Sequence, residues 1–294
     1  MIKILVTGAN GQLGRSFYKK HKKFTNYTFL FKDKESLDIS NYDEVESLIS
    51  YEKPEVIINC AAYTAVDRAE SEPDKAYEIN HLAVAGLAKI CSKRSIKLIH
   101  FSTDFVFDGL GNVPYKPDSK TSPLGSYGRT KLLGEEKILE ELSTALIVRT
   151  SWVYSAFGKN FVKTMLRLMQ ERDTVRVVED QIGAPTWARG LAEMLWASLS
   201  VDNIRGIYHW SDEGICSWYQ FAKAIAEEAV RIGLIKRCAK VEPILSKNYK
   251  TLATRPDYSV LDCSSTIRDV GISPLPWRSQ LKSMLEDLKR NSNV

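Results

Sequence analysis

The sequence predicts an α/β fold in which a doubly wound parallel sheet is joined to a smaller C-terminal domain. Up to residue 150, short apolar runs alternate with segments that have the apolar spacing of helices. Such alternation is typical of parallel sheets covered by helices on both faces. The first apolar run also turns through three closely spaced glycines into a helical segment. This is how parallel α/β folds build a phosphate-binding loop.

The individual elements follow from these patterns in chain order. Strands are predicted at residues 3–7, 27–31, 56–59, 97–102 and 145–150, and helices at residues 12–22, 43–51, 74–93 and 128–140. Asn41 is expected to cap the second helix, and Ser71 or Pro73 marks the start of the third. Later helices are predicted at residues 160–171, 189–199, 217–232 and 277–289, with strands at 175–178 and 207–210.

This order divides the chain into two parts. Residues 1–150 are predicted to form a dinucleotide-binding, Rossmann-like domain. Residues 151–294 are predicted to form mainly a substrate-binding domain, and a return of the chain to the sheet is left open.

Composition excludes several classes of protein. The chain has 294 residues, of which 44% are hydrophobic, and no apolar run is long enough to span a membrane. The first strand starts at the N-terminus and leaves no room for a signal peptide, and the five cysteines are scattered, so we expect reduced thiols in a cytoplasmic protein. The net charge is +5, and the basic run at residues 19–23 is expected to close the first helix rather than bind nucleic acid.

The glycine-rich loop is the first candidate binding site. Gly8 would permit the tight turn, Gly11 would let the backbone approach a pyrophosphate, and Gly14 would let the helix lie against the strand. The spacing is G-x-x-G-x-x-G, and turn-forming glycines are the alternative explanation. The predicted cofactor residues of this segment are Gly8, Asn10, Gly11, Gln12, Leu13 and Gly14.

Cofactor choice depends on the end of the second strand. Asp33 lies 19 residues after Gly14, near the offset at which an acid binds the ribose 2′-hydroxyl of NAD. The neighbouring Lys32 and Lys34 could instead neutralise the 2′-phosphate of NADP, and Asp33 could be a solvated loop acid. Both NADPH and NADH therefore stay candidate cofactors.

A tyrosine and a lysine one helical turn apart form the second candidate site. Tyr127 and Lys131 would point into the same space, and the lysine charge is expected to lower the pKa of the phenol. Such a phenol could act as an acid toward a carbonyl oxygen. The strand predicted up to residue 102 closes on two hydroxyls and a carboxylate, those of Ser102, Thr103 and Asp104, at the carboxyl edge of the sheet, where open α/β sheets bind ligands. A surface Tyr–Lys pair is the alternative.

Together these segments resemble the extended short-chain dehydrogenase/reductase superfamily, whose signature is this glycine loop, a strand-end Ser or Thr and the Tyr–Lys pair. Within it the chain resembles the dTDP-4-dehydrorhamnose reductase family from the first strand to the last helix. The matching words are residues 59–70, 102–109, 149–154, 159–162, 180–186 and 255–262.

The resemblance implies NAD(P)H-dependent reduction of the C4 ketone of dTDP-4-dehydro-β-L-rhamnose to dTDP-L-rhamnose, with Thr103, Tyr127 and Lys131 as catalytic residues. It implies cofactor contacts from Tyr127 and Lys131 and from Asp38, Ile39, Ala61, Ala62 and Tyr63. It implies that the sugar nucleotide contacts Thr64, Val66, Thr103, Asp104, Trp152, Asn160, Gln181 and Thr186. Trp152 could instead be an interface core residue, and Arg255 could bind diphosphate or join the C-terminal segment to the body.

Two positions depart from the family pattern. Many members carry Tyr where this chain has Phe105, which removes a hydroxyl near the substrate. Some dimeric members bridge subunits through magnesium held by acidic side chains, and Ser16 stands at one such position, so no metal site is predicted there. Oligomeric state stays open, including a homodimer. The four histidines are too dispersed for a ligand cluster and are expected at helix ends, in the core or on the surface.

Three alternatives remain. A related dTDP-4-keto-6-deoxyhexose reductase or a dihydrostreptose-type synthase would share the site and differ in product. A non-catalytic dinucleotide-binding regulatory subunit would not need Thr103, Tyr127 and Lys131 together. An epimerase or dehydratase would need further acid–base residues beside the threonine, where this chain has only Asp104.

Overall fold

The computed structural model describes residues 1–292. The last two residues of the predicted second domain, 293–294, lie outside the described residues. The first half contains β1 (Ile2–Thr7), α1 (Gln12–Tyr18), β2 (Tyr27–Phe31), α2 (Tyr42–Glu52), β3 (Val56–Asn59), α3 (Val66–Ser71), α4 (Pro73–Tyr77), α5 (Ala83–Arg94), β4 (Lys97–Thr103), α6 (Ser126–Glu141) and β5 (Leu146–Thr150). The second half contains β6 (Val153–Tyr154), α7 (Phe161–Glu171), β7 (Thr174–Val178), β8 (Ile182–Gly183), β9 (Thr186–Trp187), α8 (Ala188–Ser198), β10 (Gly206–Trp210), β11 (Cys216–Ser217), α9 (Trp218–Arg231), β12 (Lys240–Ile244), α10 (Ser264–Val270) and α11 (Trp277–Ser292).

The central sheet is parallel and has the order β10-β5-β4-β3-β1-β2. The order reverses direction at β1 and β3, which are paired from Ile4 with Val56 to Thr7 with Asn59. At such a switch point, a crevice opens beyond the carboxyl ends of the strands. The predicted α/β class with a doubly wound parallel sheet is therefore confirmed.

Alternate residues of the strands supply two cores, because successive side chains point to opposite faces. Ile4 and Val6 pack on one face with Phe17 and Trp196. Leu5 packs on the other face among residues of α2 and α5. Trp196 stacks on Phe17 with ring centroids 3.8 Å apart, which joins α8 to α1. Residues well beyond 150 thus complete the core of the sheet.

A second lobe has a core of its own. Helices α7, α9 and α11 pack together there around Phe221, Ile225 and Leu281, all of them buried. The chain returns from this lobe to the sheet at β10, which pairs with β5 from Gly206 with Leu146 to Trp210 with Thr150. The division at residue 150 stays a prediction, and α8 and β10 belong to the sheet by their contacts.

Several predicted elements differ from the structure. The helix predicted at residues 12–22 ends at Tyr18, and a separate 3₁₀ turn covers His21–Lys23. The helix predicted at 74–93 starts at Pro73 and passes through a π-helical turn at Glu78–Leu82. The helices α3 and α10 and the strands β6, β8, β9, β11 and β12 were not predicted. Asn41 accepts a hydrogen bond from the backbone of Glu44, as its predicted cap role requires.

Within residues 1–292, no helix combines the length and apolar character needed to cross a bilayer.

Candidate active site

The glycine loop joins β1 to α1 with backbone contacts that leave no room for side chains at two positions. Gly8 has a φ of +63°, and a Cβ there would lie 2.6 Å from the backbone nitrogen of Ala61. A Cβ at Gly14 would lie 2.6 Å from the carbonyl oxygen of Gly8. Gly11 is less restricted, since its nearest neighbour would be at 3.1 Å. The loop is therefore packed tightly against the end of β3 and presents Gly11, Gln12 and Leu13 to the main cavity.

Asp33 and Asp38 lie in the loop after β2, where they are held by hydroxyls and amides. Asp33 accepts hydrogen bonds from the side chain of Asn10 and from both the backbone and hydroxyl of Ser36. The Ser36 contacts hold the pKa of Asp33 below its usual value. Asp38 binds Ser40 and lies 3.5 Å from Lys34. Asn10 and Asp33, both predicted cofactor residues, are thus in direct contact.

A cavity of about 990 Å³ opens at the carboxyl edge of the sheet. It is lined by these predicted site residues: Gly11, Gln12, Leu13, Ala62, Thr64, Val66, Thr103, Asp104, Tyr127, Lys131, Trp152, Asn160 and Gln181. The remaining predicted residues do not line it: Gly8, Asn10, Gly14, Asp33, Asp38, Ile39, Ala61, Tyr63 and Thr186. Such a volume suits a drug-sized or larger ligand. Thr186 is fully buried in β9, so its side chain belongs to the core behind the cavity.

Tyr127 and Lys131 both lie on α6, one turn apart, and both reach the cavity. Burial raises the pKa of Tyr127 to about 12, opposed by the Thr103 hydroxyl and reinforced by the charge of Asp104. The expected lowering of this pKa is therefore wrong, because the loss of solvation on burial raises it. Phe105 packs edge-on against Tyr127, with ring centroids 5.6 Å apart. The phenol is a protonated acid across the neutral range.

Thr103 and Asp104 are buried at the end of β4. The Thr103 hydroxyl donates to Asp104 at 3.1 Å, and it also accepts from the backbone of Phe105 at 3.2 Å. Burial raises the pKa of Asp104 to about 6, while the hydroxyls of Ser259 and Thr103 oppose the shift. This carboxyl therefore titrates close to neutral pH, beside the threonine that faces the same cavity.

Lys131 is almost completely buried, and burial lowers its pKa to about 8. Its Nζ donates to the carbonyl oxygen of Phe101 at 2.6 Å and lies 3.1 Å from Nε2 of His100. Glu135, one turn further along α6, opposes the lowering of the pKa. That glutamate is itself paired with Arg149, at 2.6 Å.

An aromatic wall closes the side of the cavity toward the second lobe. Trp152 has a φ of +45°, which is unusual for a bulky residue. Its indole stacks on Trp218 with centroids 3.4 Å apart. A Cβ at Gly183 would lie 2.6 Å from Trp152, so this glycine makes room for the ring. Trp152 is therefore both a packing residue and a wall of the cavity.

Asn160 and Arg255 line the cavity, and both make hydrogen bonds to other side chains of the protein. Asn160 caps α7 and donates to Oε1 of Gln12, which ties the second lobe to the glycine loop. Arg255 donates to both carboxylate oxygens of Asp67, at 2.6 and 3.0 Å. Of the two roles weighed for Arg255, the structure supports the one that joins the C-terminal segment to the body.

Sequence reasoning missed several residues of the cavity. Cations at its rim are Lys159, Arg176, Lys247 and Lys250. Ser102 is the residue before the end of β4 and Thr150 is the last residue of the neighbouring β5. Their hydroxyls are buried without a hydrogen-bond partner among the residues that the structure describes. The sequence had already pointed to the Ser102 hydroxyl at the end of a predicted strand, without assigning it a role, and Thr150 ends the strand predicted at residues 145–150. The four cations come from separate parts of the chain, and of these only Lys159 lies in a segment, residues 159–162, that had been matched to the family.

The fold and this site define the class of an extended short-chain dehydrogenase/reductase. The model of the RmlD substrate binding domain family matches residues 2–290. A dTDP-4-dehydrorhamnose reductase of Aggregatibacter actinomycetemcomitans is 42% identical over 97% of this chain and 98% of that protein. The spore coat polysaccharide biosynthesis protein SpsK of Bacillus subtilis is 40% identical over 98% of each.

A solved structure also shows similarity to the dTDP-4-dehydrorhamnose reductases. The dTDP-4-dehydrorhamnose reductase of Bacillus anthracis, crystallised in complex with NADP, is 36% identical, covers 98% of this chain and all of that chain, and superposes with a TM-score of 0.91. The chain belongs to the dTDP-4-dehydrorhamnose reductase family, the family of the RmlD substrate binding domain.

Proposed function

We propose that this protein reduces the C4 ketone of dTDP-4-dehydro-β-L-rhamnose to dTDP-L-rhamnose, using NADPH or NADH. The observation that carries the proposal is the meeting of Thr103, Tyr127 and Lys131 with the glycine loop at one cavity. The names of relatives of 36% to 42% identity give the substrate. In such relatives this is the last step of dTDP-rhamnose synthesis, which supplies cell-surface polysaccharide.

The glycine loop and the residues around it are suited to binding a dinucleotide cofactor. A Cβ at Gly8 or Gly14 would clash with nearby backbone atoms, so the loop requires glycine at both positions. Gly11 exposes its backbone to the cavity without a side chain. The N-terminus of α1 starts at Gln12 and favours phosphate there. Asn10 and Asp33 would bind the adenosine ribose, and Lys131 the nicotinamide ribose. When bound, the nicotinamide supplies the hydride for the ketone carbon.

Proton transfer is the task of the protein's own side chains. Tyr127 would give its phenolic proton to the carbonyl oxygen as that oxygen gains charge. The Thr103 hydroxyl would hold the same oxygen in place, and the cavity would keep bulk water from the reaction. A pKa of about 12 makes Tyr127 a phenol at every working pH, which is the form that a proton donor needs.

The sugar nucleotide would extend from this centre toward the second lobe. Trp152 offers an apolar face to the deoxyhexose, while Thr64, Val66 and Asp104 lie across the cavity from it in the proposed pose. Gln181, which lines the cavity, would lie toward the diphosphate, and the cations at the rim would neutralise the diphosphate charge. A cytoplasmic location follows from the proposed use of a nucleotide sugar and a reduced nicotinamide. A homodimer remains a prediction.

The decisive experiment follows oxidation of NADPH and NADH with dTDP-4-dehydrorhamnose, made from dTDP-glucose by a dehydratase and an epimerase, and identifies the product by NMR. Formation of dTDP-L-rhamnose is expected. A different dTDP-sugar would replace this proposal by the related reductase or synthase. Binding of NADPH without oxidation would support the regulatory subunit instead.

A further inference from the structure

The side chain of Gln12 contacts the second lobe rather than the glycine loop to which the residue belongs. Its Oε1 accepts a hydrogen bond from Nδ2 of Asn160 at 2.9 Å and lies 3.0 Å from the Ser155 hydroxyl. Its Nε2 donates to the carbonyl oxygen of Val153 at 3.3 Å. All three partners belong to residues 153–160, the docking segment. Both polar atoms of the side chain are therefore used between the glycine loop and the second lobe.

The donors and acceptors of this contact are mutually consistent. The backbone N–H of Lys163, which can only donate, points at Oδ1 of Asn160 from 3.1 Å. Asn160 therefore turns its Nδ2 donor toward the amide oxygen of Gln12. The amide nitrogen of Gln12 then faces the carbonyl oxygen of Val153, which can only accept. A flipped Gln12 amide would place two donors together at Asn160 and two acceptors together at Val153.

Two cations add attraction between α1 and the docking segment. The guanidinium carbon of Arg15, on α1, lies 5.2 Å from the centroid of the Phe157 ring, and Nζ of Lys19 lies 5.0 Å from it. Both cations belong to exposed residues, where such contacts are weak and tolerate movement. The directional bonds that fix the position of the segment come from Gln12.

The docking segment leads directly into the aromatic wall of the cavity. Asn160 caps α7, whose first residue is Phe161. The Phe161 ring packs on Trp218 with centroids 4.6 Å apart, and Trp218 stacks on Trp152. Lys159, a cation at the rim, belongs to the docking segment. A shift of the segment would therefore displace both an apolar and a charged part of the cavity lining.

The backbone of Gln12 has a different task from its side chain. Gln12 is the first residue of α1, and its carbonyl oxygen accepts from the Ser16 hydroxyl at 2.8 Å. The N–H groups of a first helical turn have no partner within the helix and are suited to binding phosphate. A change of the Gln12 side chain leaves these backbone groups in place.

We propose that Gln12 is a positioning residue for the sugar-nucleotide site. Its side chain holds the docking segment, and through that segment Lys159 and the Trp152 wall, in the arrangement that binds the sugar nucleotide. This inference rests on the proposed function, which places that ligand between these residues. Without the hydrogen bonds of Gln12, the segment would adopt the binding arrangement for only a fraction of the time, and the apparent dissociation constant rises by the inverse of that fraction.

The first test is Gln12→Met, which removes the amide and keeps the length of the side chain. Calorimetric titration of the protein with dTDP and with NADPH should show a Kd for dTDP raised about ten-fold and a Kd for NADPH within about three-fold of the wild type. Gln170→Met, the same change at an exposed position of α7, should alter neither. An equal loss of affinity for both ligands would overturn the proposal.

The second test removes the partner of Gln12. Asn160→Ser keeps a cap for α7, because serine accepts from the backbone at this position, but its side chain is too short to reach Gln12. It should weaken dTDP binding by a similar factor. The double variant should bind dTDP within about two-fold of the weaker single variant, because both changes break the same link. Effects that multiply would overturn the link between the two residues.

Hydrogen exchange of the ligand-free protein tests the holding role without a ligand. The N–H of Phe157 donates to the Ser155 hydroxyl, and that of Thr164 donates to the Asn160 carbonyl oxygen. Peptides covering residues 155–164 should therefore exchange about ten-fold faster in Gln12→Met than in the wild type or Gln170→Met. Unchanged exchange in these peptides would overturn the proposal.

The outcomes separate this inference from the proposed function. A wild type that binds no dTDP would contradict the proposed function, whereas hydrogen exchange would still decide whether Gln12 holds the docking segment. With an active wild type, KM for the dTDP-sugar should rise about ten-fold in Gln12→Met, and kcat should fall by less than about three-fold. If Gln12→Met does not fold, Asn160→Ser gives the same readouts.

Discussion

Tyr127 is the residue on which the proposed chemistry depends. It lies half-buried beside Phe105 and Thr103, and its raised pKa makes it a proton donor. Tyr127→Phe should lower kcat by about two to four orders of magnitude, because general-acid catalysis contributes that much. The affinity for NADPH and the melting temperature should change little, since the ring is kept.

Tyr51→Phe provides the matched control, because it removes the same hydroxyl from a ring that is 83% exposed. Steady-state kinetics and fluorescence titration of NADPH would measure both variants. Turnover of Tyr127→Phe within a few-fold of the wild type would contradict the acid role.

Phe105 tests specificity at the same site. Its ring lines the cavity and contacts Tyr127 edge-on, so a hydroxyl added in Phe105→Tyr would enter the cavity or approach the phenol. One hydrogen bond contributes on the order of 1 kcal/mol, so we expect kcat/KM for competing dTDP-4-keto sugars to change by about five-fold relative to each other. Equal changes for all sugars would place this side chain outside substrate recognition.

Among the elements, the loop between β1 and α1 is the most constrained. Gly8→Ala would combine a positive φ with a Cβ only 2.6 Å from the backbone of Ala61, so both the loop and the end of β3 would have to move. We expect a loss of more than about 2 kcal/mol in the free energy of unfolding and a large loss of NADPH affinity.

Gly271→Ala is the control for this prediction. Gly271 also has a positive φ, of +74°, but a Cβ there meets nothing within 4 Å. Urea denaturation should show a loss of about 1 kcal/mol and normal NADPH binding. If the two variants lose equal stability, steric contact with Ala61 is not what requires Gly8.

The elements also show where sequence reasoning succeeds. Strands of the central sheet were predicted because each is a short, largely apolar run bounded by turn or cap residues. The two-residue strand β8 pairs with β11, more than thirty positions away, and has no local pattern of its own. β12 reads as a loop because Pro243 interrupts it, yet it pairs with β7 in parallel. Long-range pairing, rather than propensity, creates these elements.

The residues of the candidate site also divide into those that a local sequence pattern predicts and those that only the folded chain brings together. Tyr127 and Lys131 were found because helical spacing fixes their relation, and Thr103 because strand ends meet at one edge of a sheet. His100 was predicted only as a core, surface or helix-end residue, since nothing local reveals that its ring contacts Lys131. The pKa of Tyr127 was misjudged because burial is a property of the folded molecule.

At the scale of the whole molecule, Asp212 connects the sheet to the second lobe. It follows β10, is 2% exposed, and accepts from the backbone of Trp187 at 2.9 Å. Tyr154 and Gln280, from other elements of the second lobe, also face its carboxyl group. Burial raises the pKa of Asp212 to about 8, although these three groups oppose the shift.

This raised pKa predicts a dependence of stability on pH. An acid whose pKa is higher in the folded state than in the unfolded state favours folding only while it is protonated. The contribution of Asp212 to the free energy of unfolding should therefore be highest below the unfolded pKa, near 4, and should decrease until about pH 8. The upper limit of this effect is about 1.4 kcal/mol per pH unit.

Asp212→Asn removes this titration while keeping the size of the side chain. The difference in free energy of unfolding, variant minus wild type, should increase steadily between about pH 4 and pH 8, whatever its value at the acidic end. Urea denaturation across this range would measure it, with Asp118→Asn, an exposed carboxylate, as the control. A difference that does not change with pH would mean that Asp212 is ionised in the folded protein, and that Trp187, Tyr154 and Gln280 stabilise its charge at the junction of the two lobes.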